Sequence, residues 1–506
     1  MTVATLAPSG TAATIGYIYG TLVTACGLFQ LALGGSLALT VALYAVAMTA
    51  LIPLFWSGFS VSSLIYILFS LYSGGFALII KTLLVQPVQQ NLIEPNWSAL
   101  VLFAGHTSTT AAWVLATALP LRSRVASAAI NEFNSINALR FFAAFSFASG
   151  LLLKVLHNIY RPQFIYGSVE LSEGFGGFGV FGFLLVFGFA AQAALCAKTR
   201  APKEYITAGV MFTLIAGLSI IANVKKELLD AGLIIALTVA AFNVRIKPSI
   251  AATAVAFLAL MQFVVSPLIH ITRAQSETFT IAERIELTQA ILRQNNYDLG
   301  RINALNDEVF RSYEGNYRST GSYVYPSTLN IDRFALILPI DQVVRTHEPG
   351  KISPEQAFDL TLQAILPSAL IDKSAGILAD YVAWYYGFRT YGVVGRPVTG
   401  LTASSWAIAG LPGVLIIGFV VPAIMFWILG AVGGPLGGSP WAVGLVTSLS
   451  VMQEATLDAV FGYLFRDLIV LLSTIALLLI ARRFLRRGAD NKHARRHPIQ
   501  PKSGRK

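Results

Sequence analysis

The chain has 506 residues, a formal net charge of +11, 55% apolar residues and only 12% charged ones, with a mean hydropathy of +0.66. No ordinary water-soluble domain carries that balance, so a multi-pass membrane protein is indicated. Its two cysteines, Cys26 and Cys196, both lie inside apolar runs, which indicates neither a disulfide framework nor a thiolate metal site.

The N-terminus, "MTVATLAPSG", lacks the basic segment and cleavage site of a secretory signal, so the first apolar run is expected to stay as a span. Spanning helices need about 20 apolar residues, and counting such runs predicts an all-α protein with about twelve of them. They fall near 12 to 33, 36 to 56, 60 to 84, 97 to 119, 138 to 157, 174 to 196, 205 to 223, 228 to 244, 248 to 271, 406 to 430, 440 to 456 and 463 to 482. The chain then divides into nine transmembrane helices over 1–271, a large loop over 272–405, three more helices over 406–482 and a basic tail over 483–506. Glycines interrupt several runs, as in "EGFGGFGVFGF", which is read as helix packing and not as a nucleotide loop.

The positive charge is concentrated in the tail, "RRFLRRGADNKHARRHPIQPKSGRK", where Asp490 is the one acid. A basic segment after an apolar helix is expected to face anionic membrane lipid in the cytoplasm, and nucleic acid is the weaker explanation. Counting spans back from this tail puts Arg122, Arg124, Lys198, Arg200, Lys203, Arg245 and Lys247 on the same side, the positive-inside pattern. Both termini are then cytoplasmic and the loop 272–405 is periplasmic.

The same count sends "IANVKKELLDAG", with Lys225 and Lys226, to the outer face. Lys81, Lys154, Arg161 and Arg466 join them there. Each can snorkel and pair with a nearby acid such as Glu227, Asp230 or Asp467. Gathered around one vestibule, they instead indicate an anionic ligand, because they stand against the favoured charge bias.

The loop predicts structure of its own. "AERIELTQAILRQNNYDLGRINALNDEVFRSYEG" has apolar residues at helical spacing among paired charges, as expected of one or two helices outside the bilayer. "SPEQAFDLTLQAILPSALIDKSAGILADYVAWYYGFRTYG" opens on a Ser-x-x-Gln capping box, and its "YVAWYYGF" run suits sugar stacking or a membrane interface. A loop this long is uncommon unless it carries function.

Three further stretches carry a resemblance: "NIDRFALILPIDQVVRTHEPG", "LQAILPSALIDKSAG" and "VTGLTASSWAIAGLPGVLIIGF". Their order resembles the bacterial oligosaccharide repeat unit polymerases, the O-antigen polymerase or Wzy-type family, as do "GGFALIIKTLLVQPVQQNLIEPNW" and "VKKELL". The matching positions are Arg333, the span from Pro367 to Lys373, and Gly410 to Gly413. Ser368 stands where the family often has Arg, and Trp406 and Ala407 stand where an acid often precedes the glycine turn. The resemblance implies a metal-independent inner-membrane glycosyltransferase without a cofactor. Its substrate would be an undecaprenyl-pyrophosphate-linked oligosaccharide, and a chain-length regulator protein is a further implied partner. Arg333, Lys373, Lys225 and Lys226 are the expected catalytic cations, and Lys81, Arg161, Arg345, Arg389, Arg396 and Arg466 the expected substrate-binding ones.

The chemistry fits independently. Transfer from a lipid pyrophosphate develops negative charge on the leaving group, which Lys and Arg at helix ends can stabilise. The attacking sugar hydroxyl needs a base, for which a loop carboxylate or His347 is the candidate, although a lone loop histidine is more often a surface residue. His106 and His270, in apolar context, are expected to pack. Two other readings stay open: a ligase moving glycan to a different acceptor, and a transporter or flippase, which should carry midplane charge and paired broken halves.

The orientation is testable. With Cys26 and Cys196 replaced, a single cysteine at position 320 should react with an impermeant reagent added outside intact cells, and one at position 490 only after permeabilisation. The reverse pattern contradicts the topology.

Overall fold

In the computed structural model the described residues are 10–56, 58–121, 123–160, 176–221, 226–245, 265–275, 281–317, 322–325, 331–367, 370–374, 376–392 and 397–496. Among them the chain is helical, with no β-strand and one isolated bridge between Ser60 and Pro435. Among the described residues eight helices are long and apolar enough to cross a membrane: Ala13–Ala32, Leu37–Trp56, Val61–Leu83, Pro95–Ala118, Ile136–Tyr160, Gly177–Thr199, Gly400–Val432 and Leu457–Phe484. The chain is therefore an integral membrane protein.

The expected spans at 205–223 and 228–244 are helices Pro202–Ile221 and Lys226–Ala241, separated by residues outside the description. Most of the expected span at 248–271 also lies outside it. The run at 440–456 departs from expectation. It forms a helix of only nine residues, Pro440–Ser448, whose length at about 1.5 Å per residue is roughly half of the bilayer core. Every residue from Pro440 to Thr447 is buried, so its hydropathy reflects protein neighbours on all sides.

Small residues set the closest helix contacts, as expected where lipid supplies no hydrophobic drive between helices. A Cβ on Gly188 would stand 2.5 Å from the Phe147 backbone nitrogen, and one on Gly150 would collide with the backbone of Leu185. Helices Ile136–Tyr160 and Phe183–Thr199 thus meet backbone to backbone. Gly105 is packed under the Thr402 side chain, joining helix Pro95–Ala118 to Gly400–Val432.

Three spans depart from regular α-geometry. Leu71–Gly75 and Tyr463–Asp467 are single π-turns inside Val61–Leu83 and Leu457–Phe484, a departure often found at functional sites. Helix Gly400–Val432 breaks at Ala409 and Gly410, the latter at φ +61°, a left-handed value that glycine adopts without strain. The break and Pro412 deprive carbonyls of their helical partners. The loop supplies two of them, since the Gly350 and Ile352 amides donate to Trp406 and Ala407 at 3.4 and 3.0 Å. The Gly410 turn expected from the sequence is therefore a hinge point clasped by the loop.

The helices expected in the loop region form. Its first part forms helices Ile281–Gln294 and Leu299–Tyr317. Helix Pro354–Ile365 begins at Ser353, whose hydroxyl accepts the Gln356 amide at 3.2 Å. The Gln356 side chain does not complete the box but donates to Tyr385 Oη at 3.3 Å. The loop ends sooner than expected, because the following span begins at Gly400.

Replacing Gly188 by leucine should force these two spans apart. We expect a sharp fall in membrane abundance and melting temperature, whereas Gly232→Leu, at a position with nothing within 4 Å of an added Cβ, should leave both near wild type.

Candidate functional site

The segment from 452 to 467 collects the candidate cations. It begins with the short 3-10 helix Met452–Glu454, continues through Leu457–Gly462 and ends in the π-turn Tyr463–Asp467. Arg333, on the 3-10 turn Asp332–Phe334, reaches Glu454 with Nη2 at 2.5 Å and Nε at 3.3 Å. Its side chain is 50% exposed and that of Glu454 9%. Burial disfavours the Arg333 charge, but the hydrogen bonds and charge of Glu454 outweigh it and raise the guanidinium pKa.

Lys373 lies in the strand-less stretch between helices Pro354–Ile365 and Leu378–Tyr385, where its side chain is exposed. It makes no hydrogen bond or ion pair with the described residues. Partial desolvation of its ammonium, and then the like charge of Arg466, push its pKa below the ordinary lysine value of 10.5, against the pull of Asp467. Arg466 in turn donates to Ala364 O at 2.8 Å and pairs with Asp467 at 2.7 Å. Asp467 is thus engaged by Arg466, and Lys373 is left without a carboxylate partner among the described residues, a cationic position that favours an anion.

On the other side of the π-turn lies a cavity of about 250 Å³, lined by Lys154, Lys226, Glu227, Asp230, Ser448, Tyr463, Asp467 and apolar residues including Phe183, Phe189 and Leu449. It sits where helix Ile136–Tyr160 ends and helices Lys226–Ala241 and Leu457–Gly462 begin, the end of the bundle that carries the loop. Lys226 Nζ meets Asp230 Oδ2 at 2.5 Å, one helical turn away, and Lys154 Nζ meets Glu227 Oε1 at 2.5 Å. The cations expected to gather for an anion at this spot are therefore neutralised by carboxylates, the paired alternative of the sequence reading.

The other candidates are dispersed. Lys81 is fully buried. Its ammonium donates to Gln86 Oε1 and Gln90 O at 3.2 and 3.1 Å and lies 4.3 Å from the Tyr323 ring centre. It pins the loop to the first helices and is not open to a ligand, which corrects its expected place in an outer vestibule. Arg345 donates to Tyr386 O and Gly387 O at 3.2 and 3.4 Å, and Arg389 is half-buried beyond helix Leu378–Tyr385. Lys225, Arg161 and Arg396 lie outside the described residues. His106 is buried and bonded to Thr49 Oγ1 at 2.7 Å, and exposed His347 faces Glu94 at 3.3 Å.

Several working groups carry no local sequence signal. Asp341 accepts the Ile93 and Glu94 amides and the Ser98 hydroxyl at 2.8 to 2.9 Å. Asp458 accepts the Leu378 amide at 3.1 Å, and Glu454 holds Arg333. Each joins residues far apart in the chain. Among the described residues no three His, Cys, Asp or Glu side chains stand together as metal ligands.

No protein-family model, curated protein or solved structure matches the chain.

The two loop cations should behave differently in a thermal melt of purified protein. Arg333→Ala strands a nearly buried Glu454 and should lower stability by about 1 kcal/mol, a half-exposed pair being partly screened, with Glu454→Gln restoring part of it. Lys373→Ala removes no contact and should melt as wild type; an equal loss in both variants contradicts the contact pattern.

Proposed function

We propose that this chain is a glycosyltransferase of the bacterial inner membrane that polymerises undecaprenyl-pyrophosphate-linked oligosaccharide units at the periplasmic face. The observation that carries this reading is Lys373, an exposed cation without a partner among the described residues, near Arg466 and Asp467, the latter of which also lines a cavity. Such a substrate is amphiphilic, with a diphosphate between an isoprenoid tail in the bilayer and a glycan in water. A cationic spot at the end of the spans suits its diphosphate, and a loop folded over that spot suits the glycan. Lys373 and Arg466 would stabilise the charge that develops on the diphosphate as the glycosidic bond to it breaks. Arg333, already committed to Glu454, is better suited to positioning this wall than to holding the diphosphate.

The ligase alternative differs only in the acceptor and uses the same cations. The transporter alternative gains nothing from the broken helix Gly400–Val432, because two carbonyls at the break are taken by Gly350 and Ile352 instead of lining an open path.

Reconstituted protein supplied with lipid-linked repeat units should form polymer, and Lys373→Ala should lower turnover by about 100-fold or more, the usual cost of losing one donor to a developing anion. Lys373→Arg should keep part of it. Because the Lys373 pKa is lowered, its charge is lost on the alkaline side before that of an ordinary lysine. Turnover should therefore decline there, and Lys373→Arg should move that decline to higher pH. Movement of labelled lipid-linked sugar across the vesicle without polymer would instead favour the transporter.

A further inference from the structure

Two polar atoms lining the cavity are buried without a hydrogen-bond partner among the described residues, Glu227 Oε2 and Ser448 Oγ. Glu227 has a side chain only 10% exposed, with Oε1 held by Lys154 at 2.5 Å. That bond fixes the carboxylate and leaves Oε2 as a buried acceptor with no donor, a costly arrangement unless something fills it. The neighbouring Lys226 and Asp230 satisfy each other, so they do not serve it. Asp467 bounds the same cavity and belongs to the turn that carries Arg466. The cavity's polar end is thus adjacent to the cation pair assigned to the diphosphate. Its volume of about 250 Å³ falls just below the roughly 300 to 1,000 Å³ of small-molecule sites, which suits a single ring. A ligand with several hydroxyls, each both donor and acceptor, satisfies Glu227 and Ser448 together.

We propose that this cavity receives the acceptor sugar of the incoming repeat unit and that Glu227 is the base for its attacking hydroxyl, an inference that rests on the glycosyl-transfer reading above. The acceptor oxygen forms a bond to the anomeric carbon of the donor glycan as the bond from that carbon to the diphosphate oxygen breaks. The diphosphate leaves with the electron pair, beside Lys373 and Arg466. The hydroxyl proton passes to Glu227 Oε2 and from there to water. Ser448 orients the ring and Lys154 orients the carboxylate.

The test uses full-length protein in proteoliposomes with synthetic undecaprenyl-pyrophosphate-linked repeat unit, reading turnover and, separately, retention of radiolabelled donor. Glu227→Gln should lower turnover by about 100-fold or more, the usual share of a general base, with donor retention unchanged, while Glu227→Asp keeps part of the turnover. A purely structural Glu227 would only neutralise Lys154. In that case the double variant Lys154→Gln, Glu227→Gln would recover wild-type turnover, and that recovery overturns the proposal. So does wild-type turnover in Glu227→Gln alone, or a loss of donor retention that matches its loss of turnover. A wild-type chain that makes no polymer at all overturns the transfer reading, and the base with it.

Discussion

Three side chains at the start of the last span and just before it tie the loop to the membrane bundle: Glu454 to Arg333, Asp458 to the Leu378 amide, and Arg466 to the Ala364 carbonyl. Everything assigned to the site depends on these ties. They fix Lys373, which lies in the short stretch between the Ala364 and Leu378 anchors, against the end of the bundle. They also place the π-turn Tyr463–Asp467 as a partition, with the cation pair on one side and the cavity on the other. A π-turn widens the helix by one residue per turn at the cost of poorer hydrogen-bond geometry, and its position here lets consecutive residues face two compartments.

The bundle meets the demand that polar groups near a membrane be satisfied within the protein. Lys81 is enclosed by Gln86, Gln90 and Tyr323, His106 is met by Thr49, and the broken helix Gly400–Val432 has carbonyls met by the loop. Other buried polar atoms in the bundle, such as Trp113 Nε1 and Thr238 Oγ1, have no partner among the described residues; Glu227 Oε2 differs from them in being a carboxylate oxygen that lines a cavity.

How much of this the sequence shows follows from whether each signal is local. The all-helical membrane class, the two loop helices, the Ser353 cap and the turn at Gly410 rest on periodicity, capping and glycine, all readable within a few residues. The Lys226–Asp230 pair, four residues apart, is legible for the same reason. Lys154–Glu227 and Arg333–Glu454 are not, because their partners are distant in the chain. The nine-residue helix Pro440–Ser448 was expected to span because hydropathy records avoidance of water and is blind to whether the neighbour is lipid or protein. Lys81 looks like an interfacial cation in sequence, and only Tyr323 packing over it reveals a core residue. Of the candidate cations, the local pairings were legible and the distant ones were not.

The central claim is that Lys373 stands against the diphosphate of a lipid-linked glycan. A photoreactive side chain in place of Lys373, irradiated in membranes holding radiolabelled undecaprenyl-pyrophosphate-linked repeat unit, measures that contact directly. The same group in place of Lys351, which pairs with Glu348 at 2.8 Å, serves as the reference. The account predicts strong labelling from position 373, displaced by excess unlabelled diphosphate lipid, and little from position 351. Equal labelling at the two positions, or none at 373, would contradict it.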